Sequence, residues 1–140
     1  MIILDTNVIS ELMRPEPAQR VFDWVASRPP SSLYTTSINQ AEILAGIARL
    51  PPGRRRAALA EAATLIFAEQ FAGRVLPIDD RAAPHYAAIV QRRREAGAPM
   101  SAFDALIAAA AMVASATIAS RDVDDFAGCG IPLINPWTAQ

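Results

Sequence analysis

Short apolar runs recur along the chain, and between them the apolar residues fall at helical spacing. The first run, Ile2-Ile3-Leu4, does not alternate with polar residues, which is typical of a strand buried on both faces of a parallel sheet. Similar runs predict further strands, and Pro77 in the third run predicts a sheet-edge position for that strand. The predicted strands cover residues 2–4, 33–36, 75–78, 117–119 and 131–134.

Helices are predicted between these strands, each bounded by capping residues, glycine or proline. Capping-box patterns open two of them, at Ser37-x-x-Gln40 and Ser101-x-x-Asp104, and Asp79-Asp80 is predicted to cap a third. The alternation predicts an α/β fold, with a central parallel sheet of four to five strands and helices on both faces. The first helix follows Asp5 and ends before Pro15, and the others cover residues 17–28, 37–50, 54–71, 79–97 and 101–115.

Composition narrows the class of protein. With 140 residues, 52% of them hydrophobic and 19% charged, the chain is expected to form a single globular domain over residues 1–140. The single cysteine, Cys129, can form no intramolecular disulfide, and the N-terminal residues show no secretory signal, so we expect a cytoplasmic protein. The longest uncharged run, residues 105–120, is shorter than a membrane span, so we expect no membrane partner.

The charged residues exclude several mechanisms. Thirteen basic residues against fourteen acidic ones give a net charge of -1, which by itself indicates no nucleic-acid partner. All the basic residues are arginines, and the lack of lysine excludes a Schiff-base enzyme, a P-loop enzyme and a receiver domain. A haloacid-dehalogenase-like phosphatase is disfavoured as well, because it would need a catalytic lysine and also a second aspartate where this chain has Asn7.

Two candidate acids lie in the first third of the chain. Asp5 directly follows the first strand, and ligands of parallel sheets gather at the carboxyl ends of the strands. Aspartate is also a common helix N-cap, and the roles of cap and metal ligand are compatible. Glu42 shares a polar helix face with Asn39 and Arg49, so it is either a ligand or an exposed glutamate paired with Arg49.

Asp104 is the only charged residue in residues 103–116, a segment that is apolar almost all round and therefore predicts a buried helix. An unpaired buried carboxylate costs free energy or takes up a proton, so this position indicates a functional role. Reciprocal capping between Asp104 and Ser101 is the structural alternative and accounts for part of the pattern.

Asp122 follows the fourth strand and is the last candidate acid. Asp124 and Asp125 lie in the same turn and are rivals for its role. Arg121, next to Asp122, is by position the natural partner for a substrate phosphate. The arginine runs at residues 54–56 and 92–94 are either a basic rim for a nucleic-acid strand or solvated helix faces.

Together, these acids predict one metal-binding edge of the sheet. Ligands that offer only oxygen, with no accompanying histidine or cysteine, suit Mg²⁺ or Mn²⁺ and not zinc. Such an ion, or a pair of them, would lower the pKa of bound water and neutralise a scissile phosphate. The alternative is a non-catalytic interaction module in which the acids only cap helices.

The chain resembles the PIN-domain ribonucleases, specifically the VapC/FitB-like toxins of bacterial toxin–antitoxin pairs. The matching motifs follow the family's order and spacing along the whole chain. They are residues 2–11, Ala41-Glu42 with Gly46, Asp104 with Ile107-Ala108-Ala109, Ser120-Arg121-Asp122 with Phe126, and Asn135-Pro136-Trp137.

The resemblance implies a PIN-like three-layer sandwich whose metal ligands are Asp5, Glu42, Asp104 and Asp122. It also implies Mg²⁺-dependent hydrolysis of RNA phosphodiester bonds, with Mn²⁺ as a substitute. The further implications are a homodimer, inhibition by a small antitoxin protein, and binding of operator DNA through the antitoxin complex only.

Overall fold

A five-stranded parallel sheet forms the centre of the molecule in the computed structural model, which describes residues 1–139. Its order is β3-β2-β1-β4-β5, so the third strand lies at an edge as its proline predicted. Ile2 pairs with Leu33 on one side and with Thr117 on the other, which places β1 in the middle. The strands are β1 (Ile2–Leu4), β2 (Leu33–Thr36), β3 (Val75–Leu76), β4 (Thr117–Ala119) and β5 (Leu133–Ile134).

Helices connect these strands close to the positions that the sequence predicted. They are α1 (Thr6–Leu12), α2 (Gln19–Ala26), α3 (Ser37–Ala48), α4 (Arg54–Leu65), α5 (Ala82–Glu95) and α6 (Ala102–Ala114). A π-helical turn, Ile66–Gln70, continues α4, and a 3-10 turn, Val123–Phe126, follows β4. Within residues 1–139, no helix combines the length and the apolar character that crossing a lipid bilayer requires.

One face of the sheet is covered by α1 to α4. Leu4 and Leu33 of the strands pack there with Val8 of α1, Trp24 of α2 and Ile43 of α3 in one buried cluster. Side chains alternate between the two faces of a strand, so Ile3 of β1 and Ile118 of β4 point to the opposite face of the sheet.

The opposite face is covered by α5 and α6. Ile3 and Ile118 pack there with Ile89 of α5 and with Ala105 and Ala108 of α6. The small alanine side chains allow α6 to lie close to the sheet. Helices on both faces of a parallel sheet make three layers, and the predicted fold class is confirmed.

Two of the predicted helix caps are wrong in detail. Thr36, not Ser37, caps α3: its Oγ1 accepts a hydrogen bond from the N–H of Asn39 over 3.2 Å, because the last residue of β2 is already extended. The Asp79 carboxylate accepts the N–H of Arg81, a hydrogen bond of the capping type, but the regular helix begins only at Ala82, with Arg81 in the N-cap position.

The strand order defines where a ligand can bind. After β1 the chain passes to β2 on one side, and it later returns to β4 on the other side of β1. The carboxyl ends of β1 and β4 therefore flank the point where the order reverses, which is where open α/β sheets bind ligands. Asp5 follows β1 and Ser120 follows β4, so both lie at this point.

Candidate active site

Asp5 is a buried carboxylate at the centre of this sheet edge. It occupies the N-cap position of α1, but its side chain makes no capping hydrogen bond. Instead, Ser120 Oγ donates to Asp5 Oδ2 over 2.8 Å, and Asn39 Nδ2 donates to Asp5 Oδ1 over 3.0 Å. Burial of the residue, which is 7% exposed, raises the pKa of Asp5 above its ordinary value of 3.8, and the charge of Glu42 adds to the rise.

Glu42 approaches the same edge from α3 and is half-buried. Thr6 Oγ1 donates to Glu42 Oε1 over 2.9 Å, and Asn39 Nδ2 donates to Thr6 Oγ1 over 3.0 Å. The amide of Asn39 therefore links the carboxylates of Asp5 and Glu42 through one hydrogen-bond network. The alternative ion pair with Arg49 does not form in the part of the chain that the structure describes.

Asp104 lies in the first turn of α6 and combines both predicted roles. Ser101 Oγ accepts a hydrogen bond from the Asp104 N–H over 3.1 Å, so the capping interaction is present. The carboxyl group has its pKa raised, first by burial and then by the negative charges of Asp5, Asp125 and Asp122. The repulsion means that Asp104 is one member of a group of neighbouring acids.

Asp122 lies just beyond β4 and is exposed. Its N–H donates to Ser120 Oγ over 3.0 Å, and Asn7 Nδ2 donates to its Oδ2 over 3.2 Å. Of its two rivals, Asp125 lines the same cleft as Asp122, whereas Asp124 is not among the residues that line it. Asp122 and Asp125 are therefore the aspartates of this turn that line the cleft.

The candidate acids line a single cleft of about 520 Å³, which we call the acidic cleft. Its walls hold the four predicted acids, two further acids, two arginines and one tryptophan. The lining residues are Asp5, Thr6, Asn7, Ser10, Glu11, Arg14, Glu42, Asp104, Arg121, Asp122, Asp125 and Trp137.

Glu11 is a residue of the acidic cleft that the sequence reasoning did not single out. It is only 7% exposed, accepts a hydrogen bond from the N–H of Ala18 over 2.9 Å and pairs with Arg14 over 3.3 Å. The signal was its position three residues after Val8, which places it on the buried face of α1. Its partners show that it fixes the end of this helix at the wall of the acidic cleft.

The donor atoms of the acidic cleft fit a hard divalent cation. Carboxylate oxygens are the ligands that Mg²⁺ and Mn²⁺ prefer, and a cation would relieve the repulsion around Asp104. As the side chains stand, no group of three or more His, Cys, Asp or Glu residues within 1–139 could hold an ion together. Asp5 is fixed by its two donors, so the less buried Glu42, Asp104 and Asp122 would rotate towards an ion shared with it.

The two arginine runs differ in their surroundings. Arg54 and Arg55 at the start of α4 are exposed, as expected for a solvated helix face. In the second run, by contrast, Arg93 is buried and donates to the backbone carbonyls of Ala98 and Ala127. Arg93 therefore belongs neither to a basic rim nor to a solvated face, and the prediction for residues 92–94 is wrong at this middle arginine.

Comparison with known proteins identifies the family to which this chain belongs. The model of the PIN domain matches residues 2–128, and the chain therefore belongs to the PIN-domain family. A solved structure described as FitAB bound to an IR36 DNA fragment superposes with a TM-score of 0.93, at 38% sequence identity, over 100% of this chain and 98% of that chain.

Three relatives match the chain over nearly its whole length. The plasmid stability protein StbB of Pseudomonas syringae pv. tomato is 42% identical over 99% of this chain and 100% of that protein. The toxin FitB of Neisseria gonorrhoeae is 39% identical over 98% of this chain and 99% of its own. The VapC ribonuclease Y4jK of Sinorhizobium fredii is 37% identical over 98% of each. The resemblance to VapC/FitB-like toxins is confirmed.

Proposed function

We propose that the protein is the toxin of a toxin–antitoxin pair and acts as a metal-dependent endoribonuclease on single-stranded or looped RNA. The observation that carries this proposal is the convergence of four acids, from four separate segments of the chain, on the acidic cleft. The relatives named as a toxin and as a VapC ribonuclease support the same activity. Burial of the Asp5 carboxylate and the repulsion between Asp104 and its acidic neighbours both cost folding free energy, so this arrangement favours function over capping alone.

In this proposal Asp5, Asp104 and Asp122 hold one or two Mg²⁺ ions, for which Mn²⁺ can substitute, and Glu42 holds metal or orients the attacking water. Bound there, the metal supplies Lewis-acid chemistry that makes water more acidic and neutralises the charge of a scissile phosphate.

The surrounding side chains fix the directions of these acids. The hydrogen bonds from Asn39 and Ser120 fix both oxygens of Asp5, and they also favour its ionised form against the effect of burial. Thr6 orients Glu42, and Asn7 orients Asp122. These neutral donors are positioning residues, since they contact the acids and not the reacting atoms.

The RNA strand approaches an acidic surface, so it needs cations at the cleft. Arg121 is exposed, lines the acidic cleft and is the proposed partner of a substrate phosphate. Arg14 lines the same cleft and is 65% exposed, although it is paired with Glu11.

We further propose that the protein works in the cytoplasm as a homodimer. A cognate small antitoxin would inhibit it, and operator DNA would be bound through the antitoxin complex only. The solved complex described as FitAB bound to an IR36 DNA fragment supports DNA binding by the antitoxin complex.

Incubation of the purified protein with single-stranded RNA tests the activity. We expect cleavage with Mg²⁺ or Mn²⁺ that EDTA abolishes, and loss of cleavage in Asp5→Asn and in Asp104→Asn. Asp80→Asn is the matched control, because Asp80 is exposed and does not line the acidic cleft, and it should cleave like the wild type. Cleavage that persists in EDTA, or in Asp104→Asn, would contradict the proposal.

A protein that forms dimers and binds its antitoxin, but cleaves no RNA with either ion, would instead be the non-catalytic interaction module. In that case the acids would have only local roles, of which the contact between Ser101 and Asp104 is an example.

A further inference from the structure

The segment Asn135-Pro136-Trp137 follows β5 and lies against the acidic cleft through Trp137. The Asn135 side chain makes two hydrogen bonds. Its Nδ2 donates to the backbone oxygen of Arg121 over 3.4 Å, and its Oδ1 accepts the N–H of Trp137 over 2.9 Å. One amide side chain therefore ties the backbone of Arg121 to that of Trp137.

The guanidinium of Arg121 is held by an aromatic ring and not by an acid. Its central carbon lies over the Trp137 ring, 5.0 Å from the centroid. Among residues 1–139 the guanidinium has no ion pair and no hydrogen bond, although acids such as Asp122 and Asp125 line the same cleft. The backbone of Arg121 is fixed as well, because its N–H donates to Asn7 Oδ1 over 3.1 Å.

A cation–π contact has a consequence that an ion pair lacks. The ring attracts the guanidinium through its face and uses none of the five N–H donors. A carboxylate partner would take those donors and cancel the charge. Held on the ring, Arg121 keeps its full charge and its forked donors for a phosphate.

We infer that Trp137 and Asn135 are positioning residues that hold Arg121 as the phosphate-binding cation of the acidic cleft, in contact with the backbone of a single-stranded RNA substrate. This inference rests on the proposed ribonuclease function and adds how the substrate is bound. Trp137 acts through Arg121, so its contribution disappears when Arg121 is absent.

Binding of a fluorescent single-stranded RNA at several salt concentrations tests the inference. The Asp104→Asn protein serves as the background, since it is expected not to cleave the probe. Arg121→Gln should weaken binding about ten-fold and lower the slope of log affinity against log salt by about 0.7, as expected for one lost phosphate contact. Trp137→Leu should weaken binding about three-fold, and Trp137→Phe, which keeps an aromatic ring, should restore most of the affinity.

The double variant Arg121→Gln/Trp137→Leu gives the decisive comparison. If Trp137 acts through Arg121, the double variant binds RNA no more weakly than Arg121→Gln alone. Additive losses, or a Trp137→Leu protein with a lowered melting temperature but unchanged affinity, would overturn the inference, because Trp137 would then have a separate or purely structural role. If Trp137→Leu does not fold, Asn135→Ala takes its place, with the same expected non-additivity.

Failure of this inference can be distinguished from failure of the proposed ribonuclease function. A wild-type protein that cleaves no RNA with Mg²⁺ or Mn²⁺ refutes the ribonuclease activity. A wild-type protein that cleaves normally, while Trp137→Leu keeps an unchanged KM and kcat, refutes the positioning role alone.

Discussion

Arg93 connects the loop after α5 to the turn that follows Asp122. Its replacement therefore tests how much these hydrogen bonds stabilise the fold. The residue is 8% exposed, and within residues 1–139 it pairs with no acid. Its Nε donates to Ala98 O over 2.5 Å, and its NH1 donates to Ala127 O over 2.7 Å and, at a longer 3.4 Å, to Asp124 O. Arg93 therefore connects the end of α5 to the turn after Asp122.

The expected cost of Arg93→Met follows from these contacts. A hydrogen bond from a charged donor contributes about 1.5–3 kcal/mol, and methionine cannot donate to either carbonyl. Two well-formed bonds at the lower limit predict a loss of about 3 kcal/mol in the free energy of unfolding. For a chain of this size, the melting temperature should fall by about 6–12 °C.

Urea unfolding of Arg93→Met measures the loss, and Arg94→Met is the matched control. Arg94 is the next residue on α5, is exposed and makes no side-chain hydrogen bond within the described chain, so its replacement should change stability by less than about 0.5 kcal/mol. If Arg93→Met were as stable as Arg94→Met, the reasoning would be refuted. The cost of burying the guanidinium would then offset its hydrogen bonds.

Three further predictions concern the acidic cleft and the helix beside it. The raised pKa of Asp104 means that its protonated form contributes stability that is present below pH 3.8 and is lost as the pH rises through the raised value. Asp104→Asn keeps that stability, so in EDTA its melting temperature should exceed that of the wild type at pH 7 but not at pH 3; a lower value at pH 7 would contradict this. Ser120→Ala removes a hydrogen bond that lowers the pKa of Asp5, so in an NMR titration of the metal-free protein the Asp5 carboxyl group should titrate at a higher pH than in the wild type, and an unchanged titration would contradict this. Ala108→Leu forces a larger side chain into a fully buried position of α6 and should cost about 1–3 kcal/mol in urea unfolding, and a neutral result would mean that α6 can move away from the sheet.

Most of the fold could be predicted from the sequence because local patterns determine it. The unalternating run at residues 2–4 predicted a central buried strand, and Pro77 predicted an edge strand. The pattern at Asp79 located the turn but not the first helical residue, because Asp79 accepts the N–H of Arg81 while the regular helix begins only at Ala82.

The acidic cleft was only partly predictable. Asp5 and Asp122 follow strands, so the rule for strand ends places them correctly at one edge. Spacing could place Glu11 on the buried face of α1, but the hydrogen-bond partners of Glu11 and of Arg93 could not be predicted, since they come from loops whose positions depend on the tertiary fold. For the same reason, the connection between Asn135 and Arg121 became visible only in the structure.

The central claim is that the acids of the acidic cleft bind a divalent cation, and calorimetric titration with Mn²⁺ tests it most directly. The wild type and Asp80→Asn should both release or take up heat with a saturable binding curve, because Asp80 does not line the cleft. Asp5→Asn and Asp104→Asn should show weakened or no binding. Equal Mn²⁺ binding by all four proteins, or none by the folded wild type, would contradict the account.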